Sequence, residues 1–117
     1  MSWNRDARYV LGVDLGGTNV RAAVLDRDGK IVGSGRAPSL ALEGAERTVA
    51  QIARSVDDAI AGSGVDRDAI GGLGIGVPGH IDPSGKTVLW APNFYEDGLP
   101  YREVPLADRV AAATGLP

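Results

Sequence analysis

Residues 9–26, YVLGVDLGGTNVRAAVLD, place two short apolar runs on either side of the four residues GGTN at positions 16–19. Paired glycines between two apolar runs predict a β-hairpin. Asp14 stands inside the first run, where a carboxylate is costly to desolvate. An acid at a strand end, followed by glycines with exposed N–H groups and a hydroxyl, indicates a site for a metal ion and a phosphate. The spacing is equally consistent with an Asp14 that caps the turn and with glycines that supply positive φ.

The bulk composition limits the class of protein. The chain has 117 residues, of which 44% are hydrophobic and 23% charged, and this is typical of one globular domain with its own core. The net charge of −3, without a basic stripe, argues against nucleic acid as a partner. The chain has no cysteine, which excludes disulfides and thiolate metal sites. Neither a signal-peptide pattern nor an apolar run near the ~20 residues that span a bilayer is present, so we expect a cytoplasmic protein with no membrane partner.

Strand and helix patterns alternate along the chain after a polar tail at residues 1–8. Segments with the composition or alternation of strands are 9–15, 20–26, 31–37, 70–78 and 86–91. Segments with helical signals are 42–61 and 105–115, whereas 91–95 is predicted as a loop. Short turns make the first three strands antiparallel, and a helical crossover allows strand 70–78 to lie parallel to the first. The sequence therefore predicts an α/β fold with a mixed sheet.

Glycines alternate with larger residues in IGGLGIGVP, residues 70–78. One face of this strand therefore carries almost no side chains, which allows a ligand to approach closely. Close packing of a helix against Gly72 and Gly74 explains the pattern at least as well. Residues 74–79 match G-x-G-x-x-G, but Pro78 and a turn at residues 82–85 follow instead of a helix, so no dinucleotide site is predicted.

GVDLGGTNVRAAVLD, residues 12–26, resembles the phosphate-binding hairpin of the ROK family (repressors, open reading frames and sugar kinases). That family is a branch of the actin, heat-shock chaperone and hexokinase superfamily. Three later segments are similar to ROK motifs and follow in family order: GIGVPG at 74–79, VLWAPN at 88–93 and TGLP at 114–117. The resemblance covers residues 9–117 and implies an N-terminal ATPase-fold lobe. Its ribonuclease H-like mixed sheet would have three antiparallel strands, a helix, a parallel strand and a second helix, and would be incomplete at the C-terminal end.

The resemblance implies roles for individual residues. The phosphates of ATP would be bound by Asp14, Gly16, Gly17, Thr18, Asn19 and Arg21. Asp14 would also face the Mg²⁺ ion, whereas Arg21 has an equally plausible structural role on its strand. The sugar would be contacted by Gly79, His80 and Asn93, the last through an amide that both donates and accepts. Without the resemblance, His80 would be interpreted as an exposed loop residue.

The activity implied by the resemblance is that of an ATP- and Mg²⁺-dependent hexose kinase, most readily a glucokinase, with a sugar and ATP as its small-molecule partners. Full-length members would be homo-oligomers. The family's general base is an Asp on the strand expected directly after Pro117, so the chain is expected to be truncated before its catalytic strand and inactive alone. The eight polar residues before Tyr9 cannot supply the helix-turn-helix of the family's repressors. A non-catalytic sugar-responsive ROK module and an inactive fragment remain as alternatives.

Overall fold

The computed structural model describes residues 7–96 and 99–117. The elements, in chain order, are β1 (Tyr9–Leu15), β2 (Asn19–Leu25), β3 (Ile31–Pro38), α1 (Ala45–Ser63), a 3₁₀ turn (Arg67–Ala69), β4 (Ile70–Gly76), β5 (His80–Ile81), β6 (Val88–Glu96), β7 (Leu99–Val104) and α2 (Leu106–Thr114). One sheet has the strand order β3-β2-β1-β4, with only the β1–β4 pair parallel. A second sheet has the order β5-β6-β7. The predicted mixed sheet with its antiparallel meander and parallel fourth strand is therefore confirmed.

Most of the core lies between the four-stranded sheet and α1, and it continues into buried residues of β6, β7 and α2. Every second residue of β1 is buried, as are the corresponding residues of β2, so one face of the sheet is apolar. The predicted apolar stripe of α1 covers this face, and Ile52 and Val56 are fully buried in it. The helix begins three residues later than predicted, because Gly44 at φ 104° precedes it, and Gly64 ends it in the left-handed conformation.

Glycines let β3 approach α1 closely. A Cβ atom at Gly33 would lie 2.3 Å from the carbonyl oxygen of Ala59, and one at Gly35 would lie 2.1 Å from that of Ser55. Any side chain at these two positions would therefore collide with the backbone of α1. The glycines of β3, which weaken its strand signal in the sequence, are what brings the strand against the helix.

A bulge in β4 accounts for one pair of adjacent glycines. Tyr9 pairs with Ile70 and Leu11 with Leu73, so β4 has one residue more than β1 between these pairs. The additional residue falls at the Gly71-Gly72 pair, and it allows both Ile70 and Leu73 to be buried in the same core.

The predicted loop at residues 91–95 is wrong, because these residues belong to β6, and β7 was not predicted. Pro92 and Asn93 disfavour a regular strand. The strand accommodates them through an irregularity in register: Ala91 pairs with Tyr101 and Tyr95 with Pro100, so β6 advances four residues while β7 advances one. None of the described helices is long and apolar enough to cross a membrane.

Candidate phosphate and sugar site

The β1–β2 turn exposes backbone donors at its tip. The N–H of Gly16 donates to the carbonyl oxygen of Asn19 at 2.9 Å, and a Cβ at Gly16 would lie only 3.0 Å from that oxygen. Gly17 and Thr18 are exposed. Among the described residues, nothing accepts a hydrogen bond from the N–H groups of Gly17 and Thr18 or from the Thr18 hydroxyl. The tip therefore offers three donors from two consecutive residues of a tight turn, which is a suitable arrangement for an oxyanion.

Positive φ does not explain the hairpin glycines. Within residues 7–96 and 99–117, positive φ occurs at seven positions, and neither Gly16 nor Gly17 is one of them. Close backbone approach accounts for Gly16, whose amide is already used within the turn. Gly17, Thr18 and the Asn19 side chain are thus the hairpin groups still able to contact a ligand.

A chain of hydrogen bonds fixes the tip to α1. The N–H of Ser39 donates to the carbonyl oxygen of Thr18 at 3.0 Å. The buried hydroxyl of Thr48, in the first turns of α1, donates to the carbonyl oxygens of Ser39 at 2.9 Å and Leu40 at 3.3 Å. Sequence reasoning missed this support. The one signal for this support in the sequence was Thr48 itself, a polar residue directly before Val49, where the apolar stripe of the helix begins.

The face of the sheet opposite α1 carries two contrasting sets of residues. Strand register places Gly76, Asp14, Arg21 and Arg36 side by side across β4, β1, β2 and β3, and we call these four the charged row. The next residues on the same face, which we call the small row, are Gly74, Gly12, Ala23 and Ser34. The small row and the three charged residues of the charged row line an open cavity of about 640 Å³. The charged row lies one residue pair below the hairpin turn, since Leu15 and Val20 form the last pair.

Asp14 is available to a hard cation. Its side chain is exposed on this face, and no ion pair within 4.0 Å joins it to Arg21, its neighbour in register, in the described structure. The described residues contain no cluster of three or more His, Asp or Glu side chains able to hold a metal. A single carboxylate near a turn with unpaired N–H donors nevertheless suits Mg²⁺, which keeps most of its waters and binds through one or two carboxylates together with phosphate oxygens.

Two of the predicted sugar residues, Gly79 and His80, follow the end of β4 that lies beside Asp14. Asp14 pairs with Gly76, the last residue of β4, and the carboxyl ends of parallel strands lie together. Gly79 and His80 follow three and four residues later and are exposed. Asn93 lies in the irregular part of β6, next to the fully buried Phe94, and its side chain lies outside the described residues. The structure thus brings the hairpin and residues 77–80 to one edge and leaves the position of the Asn93 amide unassigned.

A hydrogen-bonded turn fixes the connection after β5. The carboxylate of Asp82 accepts hydrogen bonds from the Ser84 hydroxyl at 2.8 Å and from the N–H groups of Thr87 at 3.1 Å and Lys86 at 3.2 Å. These hydrogen bonds, of which the one from Ser84 has the largest effect, hold the pKa of Asp82 below its ordinary value of 3.8. The turn predicted at residues 82–85 is confirmed, with Gly85 at φ +76°.

Comparison with known proteins identifies the family. Residues 10–117 match the ROK family. The chain is 32% identical over 107 residues to a glucokinase of Streptomyces coelicolor, covering 92% of this chain and 30% of that protein. It is 29% identical to a putative xylose repressor of a Caldicellulosiruptor species, covering 97% of this chain and 27% of the repressor.

A solved structure shares the fold. The ROK family glucokinase from Streptomyces griseus, in complex with glucose and AMPPNP, superimposes with a TM-score of 0.78 at 36% identity, covering 93% of this chain and 31% of that one. The chain spans about 30% of the length of the glucokinases it matches. The match over residues 10–117, with which the β1–β2 hairpin and the mixed sheet agree, shows that this chain belongs to the ROK family.

Proposed function

We propose that this chain supplies the phosphate-binding hairpin and part of the sugar site of an ATP-dependent sugar kinase, with glucose as the acceptor. The observation that carries the proposal is the hairpin: the N–H groups of Gly17 and Thr18 have no acceptor among the described residues, and the exposed carboxylate of Asp14 lies one residue pair before the turn. Relatives named as glucokinases support the choice of reaction and acceptor.

In this proposal each hairpin residue has a role that follows from its chemistry. Thr18 donates through its hydroxyl and its N–H to phosphate oxygens, and the N–H of Gly17 adds a further donor. The bond from Ser39 to the Thr18 carbonyl holds these donors in place before the donor substrate binds. Mg²⁺, held by Asp14 through water, would neutralise phosphate charge during transfer.

The acceptor sugar is held by Gly79, His80 and Asn93 in this proposal. The hairpin and residues 77–80 share one edge of the sheet, so a sugar bound there would lie beside the donor phosphates. Transfer also requires a base that removes the proton of the sugar hydroxyl. We assign that role to no residue of this chain, and we therefore expect binding without turnover from these 117 residues alone.

Binding measurements on the chain test the hairpin. We expect Thr18→Val to weaken MgATP binding by about tenfold, because a hydrogen bond to a charged group is lost. Thr87→Val, in the β5–β6 connection, is the matched control. Asp14→Asn should weaken binding only when Mg²⁺ is present, whereas Asp28→Asn, in the β2–β3 turn, should have no effect. Equal MgATP affinities for the wild type and Thr18→Val would refute the phosphate site.

A coupled assay and glucose titration test the remainder. We expect calorimetry to detect glucose binding, and phosphorylation of glucose to stay at background. Turnover comparable to that of a full-length glucokinase would contradict the expectation that no residue of this chain acts as the base.

The xylose repressor among the relatives favours one alternative, a sugar-responsive regulatory module. Such a module would bind sugar without needing the hairpin donors for a nucleotide. Glucose or xylose binding combined with no detectable MgATP binding, in the same calorimetric experiment, would favour the regulatory function over the kinase.

A further inference from the structure

The charged row contains a like-charged pair that nothing described neutralises. Arg21 and Arg36 are direct register partners on antiparallel strands, and both side chains are exposed on the face opposite α1. Like charges placed directly opposite each other destabilise a sheet. Asp14 is the next residue in the row, yet within the described part of the chain no carboxylate lies within 4.0 Å of either guanidinium group.

The surroundings of this pair leave room for a ligand. The small row lies beside the two arginines and, with them, lines the cavity of about 640 Å³. Packing does not account for the glycine at position 12, because a Cβ there would meet only the Cδ1 atom of Leu25, at an ordinary distance of 3.5 Å. Ser34 adds a hydroxyl at the edge of the cavity.

We propose that Arg21 and Arg36 form a second phosphate subsite on the open face of the sheet, next to the hairpin. This inference rests on the proposed function, in which the hairpin tip binds phosphates one residue pair away. A guanidinium group offers planar paired donors that match phosphate oxygens. Arg36 lies two strand spacings from Asp14, about 10 Å, so the subsite extends the positive surface sideways from the hairpin.

The bound phosphate has two possible sources, and they share this chemistry. It is either a further group of the polyanion whose other end occupies the hairpin, or a separate phosphate ion or ester. Inorganic tripolyphosphate is the probe for the first source and inorganic phosphate for the second, both titrated against the 117-residue chain by calorimetry.

Arg36→Gln is the informative variant, with Arg54→Gln, on an exposed position of α1, as the matched control. We expect Arg36→Gln to weaken tripolyphosphate binding about two- to fivefold, the range for an exposed charge contact, and the difference to shrink as salt is added. If a single phosphate is the ligand, the same loss appears with inorganic phosphate, and Thr18→Val leaves it unchanged. Backbone amide shifts at residues 34–36 on titration would locate the site.

Thermal unfolding provides a second readout that a merely structural role would not produce. Without anion, Arg36→Gln should be as stable as the wild type or more stable, because the repulsion with Arg21 is removed. With tripolyphosphate, the wild type should gain more stability than the variant.

The outcomes separate this inference from the proposed function. If Arg36→Gln matches Arg54→Gln for both anions, or destabilises the chain without anion, the second subsite is refuted even if Thr18→Val loses MgATP binding. If Thr18→Val binds MgATP normally while Arg36→Gln still loses anion affinity, the hairpin proposal fails and the arginine site stands.

Discussion

Gly35→Ala should destabilise the chain through one collision that the structure locates. The added methyl group would lie 2.1 Å from the carbonyl oxygen of Ser55 and 3.0 Å from the Cβ of Asp58. Both contacts are with α1, and the closer one involves helix backbone rather than a side chain that can rotate. To restore an ordinary contact of about 3.5 Å, β3 and α1 must separate locally by more than an ångström.

The expected cost is set by what that separation disrupts. Overpacking of a well-packed core costs roughly 1–3 kcal/mol, and we place Gly35→Ala at the upper end, about 2–3 kcal/mol, because neither partner can move alone. The core residues Ile52 and Val56 lie on the same helix and would lose contact with the sheet. For a domain of this size the loss corresponds to a fall in Tm of about 10 °C.

Gly62→Ala is the matched control, since it makes the same chemical change but is expected to raise the stability rather than lower it. Gly62 lies in the last turn of α1, and a Cβ there would meet nothing within 4 Å. Replacing a helical glycine by alanine stabilises by roughly 0.5–1 kcal/mol. Urea unfolding followed by circular dichroism measures both variants. If Gly35→Ala lies within about 0.5 kcal/mol of the wild type, β3 is not held against α1 as the structure indicates.

Three further predictions concern groups with well-defined partners. Thr48→Val should destabilise by about 1–3 kcal/mol, because the buried Ser39 carbonyl loses its donor, while the Leu40 carbonyl keeps the N–H of Glu43. Thr48→Ser should retain most of the stability, and urea unfolding compares the two variants. Arg67→Met should lower the free energy of unfolding by about 1–2 kcal/mol. It removes both hydrogen bonds from Arg67 to the Thr114 carbonyl, at 3.0 and 2.7 Å, which connect the start of β4 to the end of α2. Thermal unfolding measures the loss, with Arg67→Lys as the control. The carboxyl carbon of Asp82 should titrate below pH 3.8 in NMR spectra, so the contribution of this group to stability is present above pH 3.8 and is lost as the pH falls through the lower pKa of the folded state. Ser84→Ala should move the titration midpoint upward. An unchanged midpoint would contradict the assigned cause.

The first half of the fold was predictable because its patterns are periodic. The helical signals of residues 42–61 and the apolar run of residues 9–15 correspond to α1 and β1, and both elements are confirmed. The stretch around Asn93 failed for a physical reason. Pro92 and Asn93 disfavour a strand locally, and the pairing of β6 with β7 absorbs them in an irregularity that no local pattern announces.

The site was predictable as a list of residue types and only partly as a geometry. The sequence indicated the hairpin and Asp14, but left open whether the glycines supply positive φ, which the structure contradicts for Gly16 and Gly17. Which residues stand side by side depends on register. Arg36 was not predicted as a site residue because in the sequence the β2–β3 turn separates it from Arg21, although the two are direct neighbours in the sheet.

The contacts behind the hairpin predict that the affinity for phosphate depends on the packing of β3 against α1 as well as on the hairpin donors. Thr18 is held by Ser39, and Ser39 by Thr48, so the position of the hairpin donors is set where β3 meets α1. A change that separates β3 from α1, such as Gly35→Ala, adds its methyl group on the α1 side of the strand and removes none of the hairpin donors, although the Gly35 backbone also lines the cavity. Because the strand carries the tether at its end, we expect such a change to weaken anion binding even at temperatures where the chain remains folded. Preorganised donors bind more tightly than donors that must be ordered on binding. If the proposed phosphate site is correct, the hydrogen bonds from Thr18 through Ser39 to Thr48 of α1 therefore contribute to its affinity.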